Sequence, residues 1–213
     1  MRGLRMAFSP TLGHARVEPE VAAPVAAAVA VFEALGAEVE EADPGFTDPY
    51  ETFTRHWYAG AASLVEAFRP EDRARMDPGL REIAAEGGRI TLQDYLGAVN
   101  ARGALGQRMR LFHERYDLLL TPTLPIAAFE AGLEVPAGSG MQRWIEWAPF
   151  SNPFNLTQQP AASVPCGLTR SGLPVGLQIV GPMHDDALVL RAARAFEAAQ
   201  PWPLPEAPRG VAA

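Results

Sequence analysis

The sequence predicts an α/β fold, with a mixed, mainly parallel sheet flanked by helices, on three observations. An apolar strand, a helix and a second strand follow one another within about the first forty residues. A long helical stretch then separates this unit from a strongly apolar strand around Leu118-Leu119-Leu120. Two later strands lie close enough in sequence to form a hairpin ahead of a last helix. Strands joined through a helix are expected to be parallel and strands joined by a tight turn antiparallel, so the sheet is mixed.

Taken in order, Leu4 to Ser9 reads as a strand ending at Pro10. Pro19 and Glu20 open a helix that runs to Leu35. Proline suits a first helical turn, where its missing N–H would be unpaired anyway, and Gly36 suits the C-terminal cap. Ala37 to Glu41 alternates apolar and acidic residues, as a half-exposed strand does, and stops at Asp43-Pro44. The loop from Thr11 to Val17 is no G-x-G-x-x-G turn and gives no support to a dinucleotide site. From Phe46 to Tyr116 the pattern is helical. Phe53, Trp57, Ala61, Leu64 and Phe68 mark an amphipathic helix closed by Pro70. A second helix is predicted over Glu71–Glu86, ending at Gly87-Gly88. A third starts at Thr91, whose T-x-x-D signal with Asp94 is a cap. It carries an apolar stripe through Leu92, Tyr95, Leu96, Val99, Met109, Phe112 and Tyr116, expected to be core. Its polar face carries Arg102, Arg108, Arg110 and Arg115, read as solvated.

Asp117 to Thr121 is a buried strand stopped by Pro122 and Pro125. The stretch from Ala127 to Phe150, with Trp144 and Trp147, is too long for a plain connector in a compact domain and reads as functional or disordered. Ala161–Cys166 and Pro174–Val180 are the hairpin strands. His184-Asp185-Asp186 starts the last helix, to Gln200, with acids where the helix dipole favours them. The Pro-rich tail from about 201 is expected to fray. All 213 residues suit one domain.

The chain has 25 acidic residues and a net charge of -7. With no basic cluster, neither nucleic acid nor an anionic membrane is expected as a partner. The apolar run from Val21 to Leu35 is too short and too rich in alanine for a membrane span, and Met1 to Met6 lacks a signal-peptide pattern. A cytoplasmic protein is expected. One cysteine excludes an internal disulfide or a cysteine-rich zinc site, and the four histidines show no ligand spacing. No metal and no cofactor are expected. All 18 basic residues are arginine; there is no lysine. No reaction that needs a lysine as base or Schiff-base former can be run by this chain alone.

Residue chemistry alone yields no active site. Of the six serines, Ser139 has glycine on both sides but lacks the strand-to-helix context of a nucleophile elbow. His184 beside Asp185 reads as a helix start rather than a base with its orienter, and Cys166 as a small buried thiol.

From Thr121 onward the chain resembles the C-terminal half of an amidase signature enzyme. The matching stretches are Thr121-Pro122-Thr123-Leu124-Pro125, the run from Asn152 to Ala161, Ser163-Val164-Pro165-Cys166-Gly167, and the run from Gly172 to Pro182. The opening, Leu4-Arg5-Met6-Ala7 through Gly36-Ala37-Glu38-Val39, resembles the strand and helix that follow the family's Gly/Ser-rich core. The resemblance implies about half of that family's α/β/α fold. It also implies hydrolysis of small carboxamides by a serine, a bridging cis-serine and a lysine, none of which maps onto this chain. Catalytic residues are therefore expected to be absent and the isolated chain inactive. By the same resemblance Trp147, Phe150, Asn152, Phe154 and Asn155 would face the acyl side of the substrate, although Asn152 and Asn155 serve equally well as turn and capping residues. The family often has glycine where Gln158 stands; if that glycine needs a positive φ, the local turn here must differ. Three roles are open: a C-terminal portion of an amidase, a subunit that pairs with a separate N-terminal half or with itself to cover an apolar sheet edge, and a non-catalytic small-amide binding module.

Overall fold

The computed structural model describes residues 1–202; the tail beyond, expected to fray, lies outside the described residues. The opening unit is β1 (Arg5–Phe8), α1 (Pro19–Ala34) and β2 (Glu38–Glu41), and β1 pairs with β2 in parallel. Pro19 stands in the first turn of α1, and Gly36 just past its end has φ +87, a conformation that a side chain would oppose. A helical layer follows: α2 (Tyr50–Glu66), α3 (Pro70–Arg73), α4 (Pro78–Gly87) and α5 (Leu92–Phe112). Next come β3 (Leu118–Pro122), a 3₁₀ turn at Trp144–Trp147, α6 (Asn152–Thr157), β4 (Ala161–Leu168), β5 (Pro174–Val180) and α7 (Asp186–Ala199).

The strand order is β2-β1-β3-β5-β4. β1 lies parallel to both β2 and β3, while β5 runs antiparallel to β3 and to β4. Among the described residues four of the five strands therefore point one way and β5 is reversed. The mixed sheet read from the sequence is the one observed.

Both faces are covered, which is why β3 reads as an unbroken apolar run. On one face α1 and α7 bury Met6, Leu118, Leu120, Leu177 and Ile179, each with no accessible surface. Each such burial is worth about 2 kcal/mol. Phe32 of α1 stacks on Phe196 of α7 at 5.5 Å between centroids, locking the two helices together. On the other face Ala7, Leu119 and Val180 meet Met109, Tyr116, Phe150 and Phe154. Side chains alternate along each strand, so neighbours in sequence serve different layers.

Three expectations for the helical layer are corrected. The helix expected over Glu71–Glu86 is two helices. Asp77 caps the second by accepting from the Leu80 N–H at 3.0 Å, and Pro78 occupies its first position, where it cannot continue α3. The apolar stripes are only partly core: Phe53, Ala61 and Met109 are buried, but Trp57, Leu64, Phe68, Leu92, Leu96 and Val99 are exposed. Helical period reveals that a face is apolar, not whether anything packs on it. Arg102, read as solvated, is half-buried and donates from Nε to the Leu156 carbonyl at 2.6 Å, satisfying an orphan acceptor near the end of α6. Arg108, Arg110 and Arg115 are exposed as expected.

Candidate functional site: a cleft over a polar row on the sheet

The sheet face opposite α1 and α7 changes character toward the C-terminal ends of β1 and β3. Thr121 of β3 lies in register with Gln178 of β5, and Gln178 with Ser163 of β4. Ser9, just past β1, joins the same row by donating its N–H to the Leu120 carbonyl at 2.9 Å. Four polar side chains thus cross four strands, one per strand.

The two ends of the row differ. At the buried end Ser9 and Thr121 have no accessible surface, so each polar atom needs a partner. The Ser9 hydroxyl donates to Asp43 Oδ1 and accepts from the Leu12 N–H. Gln178 Nε2 donates to Thr121 Oγ1 at 3.0 Å and to the Phe150 carbonyl at 3.1 Å, which ties the covering segment to the sheet. At the open end, Thr123 continues the ladder past Pro122 by donating its N–H to the Gly176 carbonyl at 2.9 Å. Its Oγ1 lies 2.7 Å from Ser163 Oγ.

Above this open end lies a cleft of about 600 Å3. Its floor is Thr123, Ser163 and Gly176, and Leu124, Phe129 and Trp147 stand among its apolar walls. Open α/β sheets place ligand sites beyond the C-terminal ends of their parallel strands, where this cleft opens after β3. Trp147 meets Phe129 edge to face at 5.9 Å, and its Nε1 donates to the Glu134 carbonyl at 3.0 Å. Behind it Trp144 packs against Trp57, and Trp57 against Phe53, so an aromatic chain links α2 to the cleft wall. Arg143 braces the turn from outside through Glu82 at 2.8 Å and Glu86 at 3.1 Å on α4. Its hydrogen bond to Glu82, foremost among these contacts, holds the guanidinium above its ordinary value.

Of the residues expected at a site, Trp147 lines this cleft. Phe150 and Phe154 are core side chains on the far side of the same segment. Asn152 is buried, and its Oδ1 has no hydrogen-bond partner among the described residues. Asn155 is exposed on α6 and does not line the cleft. Sequence reasoning passed over Thr123, Ser163, Gly176 and Phe129. The available signal was the two-residue spacing of Thr121 and Thr123, which puts both hydroxyls on one sheet face.

Gln158 takes the left-handed conformation, φ 58 and ψ 32, one that glycine adopts more readily than a residue with a side chain. Cys166 is buried on the helix-facing side and donates to the Val175 carbonyl, and burial pushes its thiol up to about 11, far from a nucleophile's range. Asp185 caps α7 through the Leu188 N–H. Ser139 accepts from the Met141 N–H within its loop. Among the described residues no His/Cys/Asp/Glu group is placed to hold a metal, and no helix is long and apolar enough to cross a membrane.

The arrangement can bind and orient an apolar ligand against a pair of hydroxyls. Comparison with known proteins gives the context. The family model described as Amidase matches residues 1–190. An acylamidase from Rhodococcus erythropolis is 39% identical over 208 residues, covering 95% of this chain and 43% of that protein. An amidase from Pseudomonas putida is 28% identical over 206 residues, covering 95% of this chain and 44% of its own length. The crystal structure of a bacterial aryl acylamidase of the amidase signature family superposes with a TM-score of 0.81 at 28% identity, covering 94% of this chain and 44% of that one. The chain spans less than half the length of each of these relatives. With the family model covering most of its residues, this chain belongs to the amidase signature family.

Proposed function

We propose that this chain is the C-terminal portion of an amidase, a hydrolase of the carbon–nitrogen bond of carboxamides. It contributes sheet and part of the substrate cleft, while the nucleophile and base come from elsewhere. The observation that carries this reading is the Trp147 cleft, which opens over paired hydroxyls beside the end of a parallel strand in a chain of this family. The division of labour rests on chemistry. Attack on an amide carbonyl by a serine needs a base, and the family's base is a lysine. This chain has no lysine. Nor does any serine among the described residues hydrogen-bond a histidine: the Ser9 hydroxyl is bonded to Asp43, and that of Ser163 to Thr123. What remains for these residues is to bind the substrate, exclude water and orient its carbonyl.

The test is complementation. The chain is produced alone and together with the Gly/Ser-rich N-terminal half of a related amidase, and ammonia release from benzamide is followed. The expected result is no turnover by either part alone, turnover by the complex, and fluorophosphonate labelling confined to the N-terminal half. Ammonia release or labelling by the lone 213-residue chain would overturn the reading.

A second reading, a subunit that naturally pairs with a separately made N-terminal half, is favoured by β4, a sheet-edge strand of eight residues without a charged side chain. Stable association of the two halves on co-expression supports it; failure to associate favours a truncated product.

A further inference from the structure

We propose that the Thr123–Ser163 hydroxyl pair is the recognition element of the cleft and selects an uncharged ligand with an apolar aryl or alkyl body and one hydrogen-bonding group. The ligand class rests on the amidase reading, since a neutral carboxamide is such a molecule; the recognition itself rests on geometry.

The two oxygens are 2.7 Å apart, so one hydroxyl donates to the other. That bond uses one of two protons and leaves one O–H and several lone pairs. The pair can therefore donate to a carbonyl oxygen or accept from an amide N–H, but it offers no full charge. A bound ligand would strengthen the bond. The pair faces an open cleft that Leu124, Phe129 and Trp147 also line, and a ligand seated against it would exclude water from both hydroxyls.

Gly176 beneath the pair is part of the device. A Cβ at this position would lie 2.7 Å from Thr123 Oγ1 and 2.8 Å from Ser163 Oγ. Any side chain at 176 would push the hydroxyls apart or away from the cleft. The residue is glycine to leave them room, since its backbone does not take a left-handed φ.

Charge decides against the alternatives. Among the described residues, the one charged residue lining the cleft is Glu130, which is exposed. No guanidinium among the described residues lines it, so a carboxylate or phosphate would lose hydration for a single hydroxyl proton and no positive charge in return. A solvated carboxylate gives a cation little in return. At about 600 Å3 the cleft falls within the roughly 300–1,000 Å3 of small-molecule sites.

The test is calorimetric titration of the 213-residue chain with acetanilide, phenylacetate, benzylamine and ethylbenzene. It is repeated on Thr123→Val, Ser163→Ala, their double variant and Gly176→Ala, each with its circular dichroism spectrum. Acetanilide is expected to bind at least about tenfold more tightly than phenylacetate or benzylamine. Each single hydroxyl deletion weakens acetanilide about five- to tenfold. The double variant is hardly weaker than either single, because the pair acts as a unit. Gly176→Ala weakens acetanilide as well, and ethylbenzene is unaffected throughout. Failure of acetanilide to bind the wild-type chain overturns the proposal, as does acetanilide affinity blind to both hydroxyls or a preference for either charged probe. Binding is read without turnover, so the two claims fail separately. An active complemented enzyme with a hydroxyl-blind cleft refutes only this inference. Hydroxyl-dependent binding with no turnover on complementation refutes only the amidase reading.

Discussion

Gln158 ends α6 at φ 58 and ψ 32, where a residue with a Cβ pays about 1 kcal/mol that glycine does not. The bend is held from both sides: Thr157 Oγ1 donates to Gln159 Oε1 at 2.8 Å, and Gln159 Nε2 donates to the Gly181 carbonyl at 3.0 Å. The Gln158 side chain is exposed and makes no hydrogen bond among the described residues, so nothing offsets the conformational cost. Gln158→Gly should therefore raise unfolding free energy by about 0.5–1 kcal/mol, and the β-branched Gln158→Val should lower it by at least about 1 kcal/mol. Urea titration followed by circular dichroism measures both, and an unchanged or lower midpoint for the glycine variant would refute the cost. The same scale marks the limit of sequence reading at the cleft. Trp147 is reached through the family resemblance of its stretch and not from its own residue chemistry. Thr123 and Ser163 are 40 positions apart, and their hydroxyls meet only through the register of β3, β5 and β4. Nothing local in either stretch encodes that register.

At the scale of elements, what the sequence disclosed was whatever local hydrogen bonds determine. The Thr91 cap of α5, the Asp185 cap of α7 and the hairpin of β4 and β5 all depend on residues a few positions apart, and all are present. Packing between helices was not legible, and the pair α2 and α4 explains why. A Cβ on Gly87 would lie 1.9 Å from the Tyr58 carbonyl oxygen, so the two helices touch backbone to side-chain-free backbone. In the sequence, Gly87-Gly88 looked like a helix end and nothing more. The two glycines should part company on mutation. Gly87→Ala must separate α2 from α4 and should cost about 3 kcal/mol or more, at the upper end of overpacking. Gly88, at φ -64 with its nearest neighbours at 3.7 Å, accepts a methyl group, and Gly88→Ala should be neutral or stabilising by up to about 1 kcal/mol. Because Glu82 and Glu86 of α4 hold Arg143 beside the tryptophan turn, Gly87→Ala should also shift tryptophan emission toward that of exposed indole. Equal stability of the two alanine variants would remove the close-approach argument.

The whole molecule ends in two unlike sheet edges. β2 is four residues long and carries Glu38, Glu40 and Glu41, so charge blunts it against further pairing. β4 is eight residues long, carries no charge, and has only Pro165 and a bulge between Pro165 and Gly167 to interrupt it. A long uncharged edge is a template for another strand. If the chain is the C-terminal portion proposed above, that edge is where further strands would add. Without such a partner the edge should pair with itself, and the exposed Leu92, Leu96 and Val99 of α5 offer a competing, helix-mediated route. Sedimentation velocity separates the two. The unmodified chain is expected to gain average mass as its concentration rises. The charged-edge variant Ala161→Lys with Leu168→Lys, both at exposed positions, should stay monomeric with an unchanged helical signal. The helix variant Leu92→Lys with Leu96→Lys should associate as the parent does. The reverse pattern, with the helix variant monomeric and the edge variant associating, would mean that α5 rather than β4 is the surface needing cover. The partner should then be sought against the helical layer and not along the sheet.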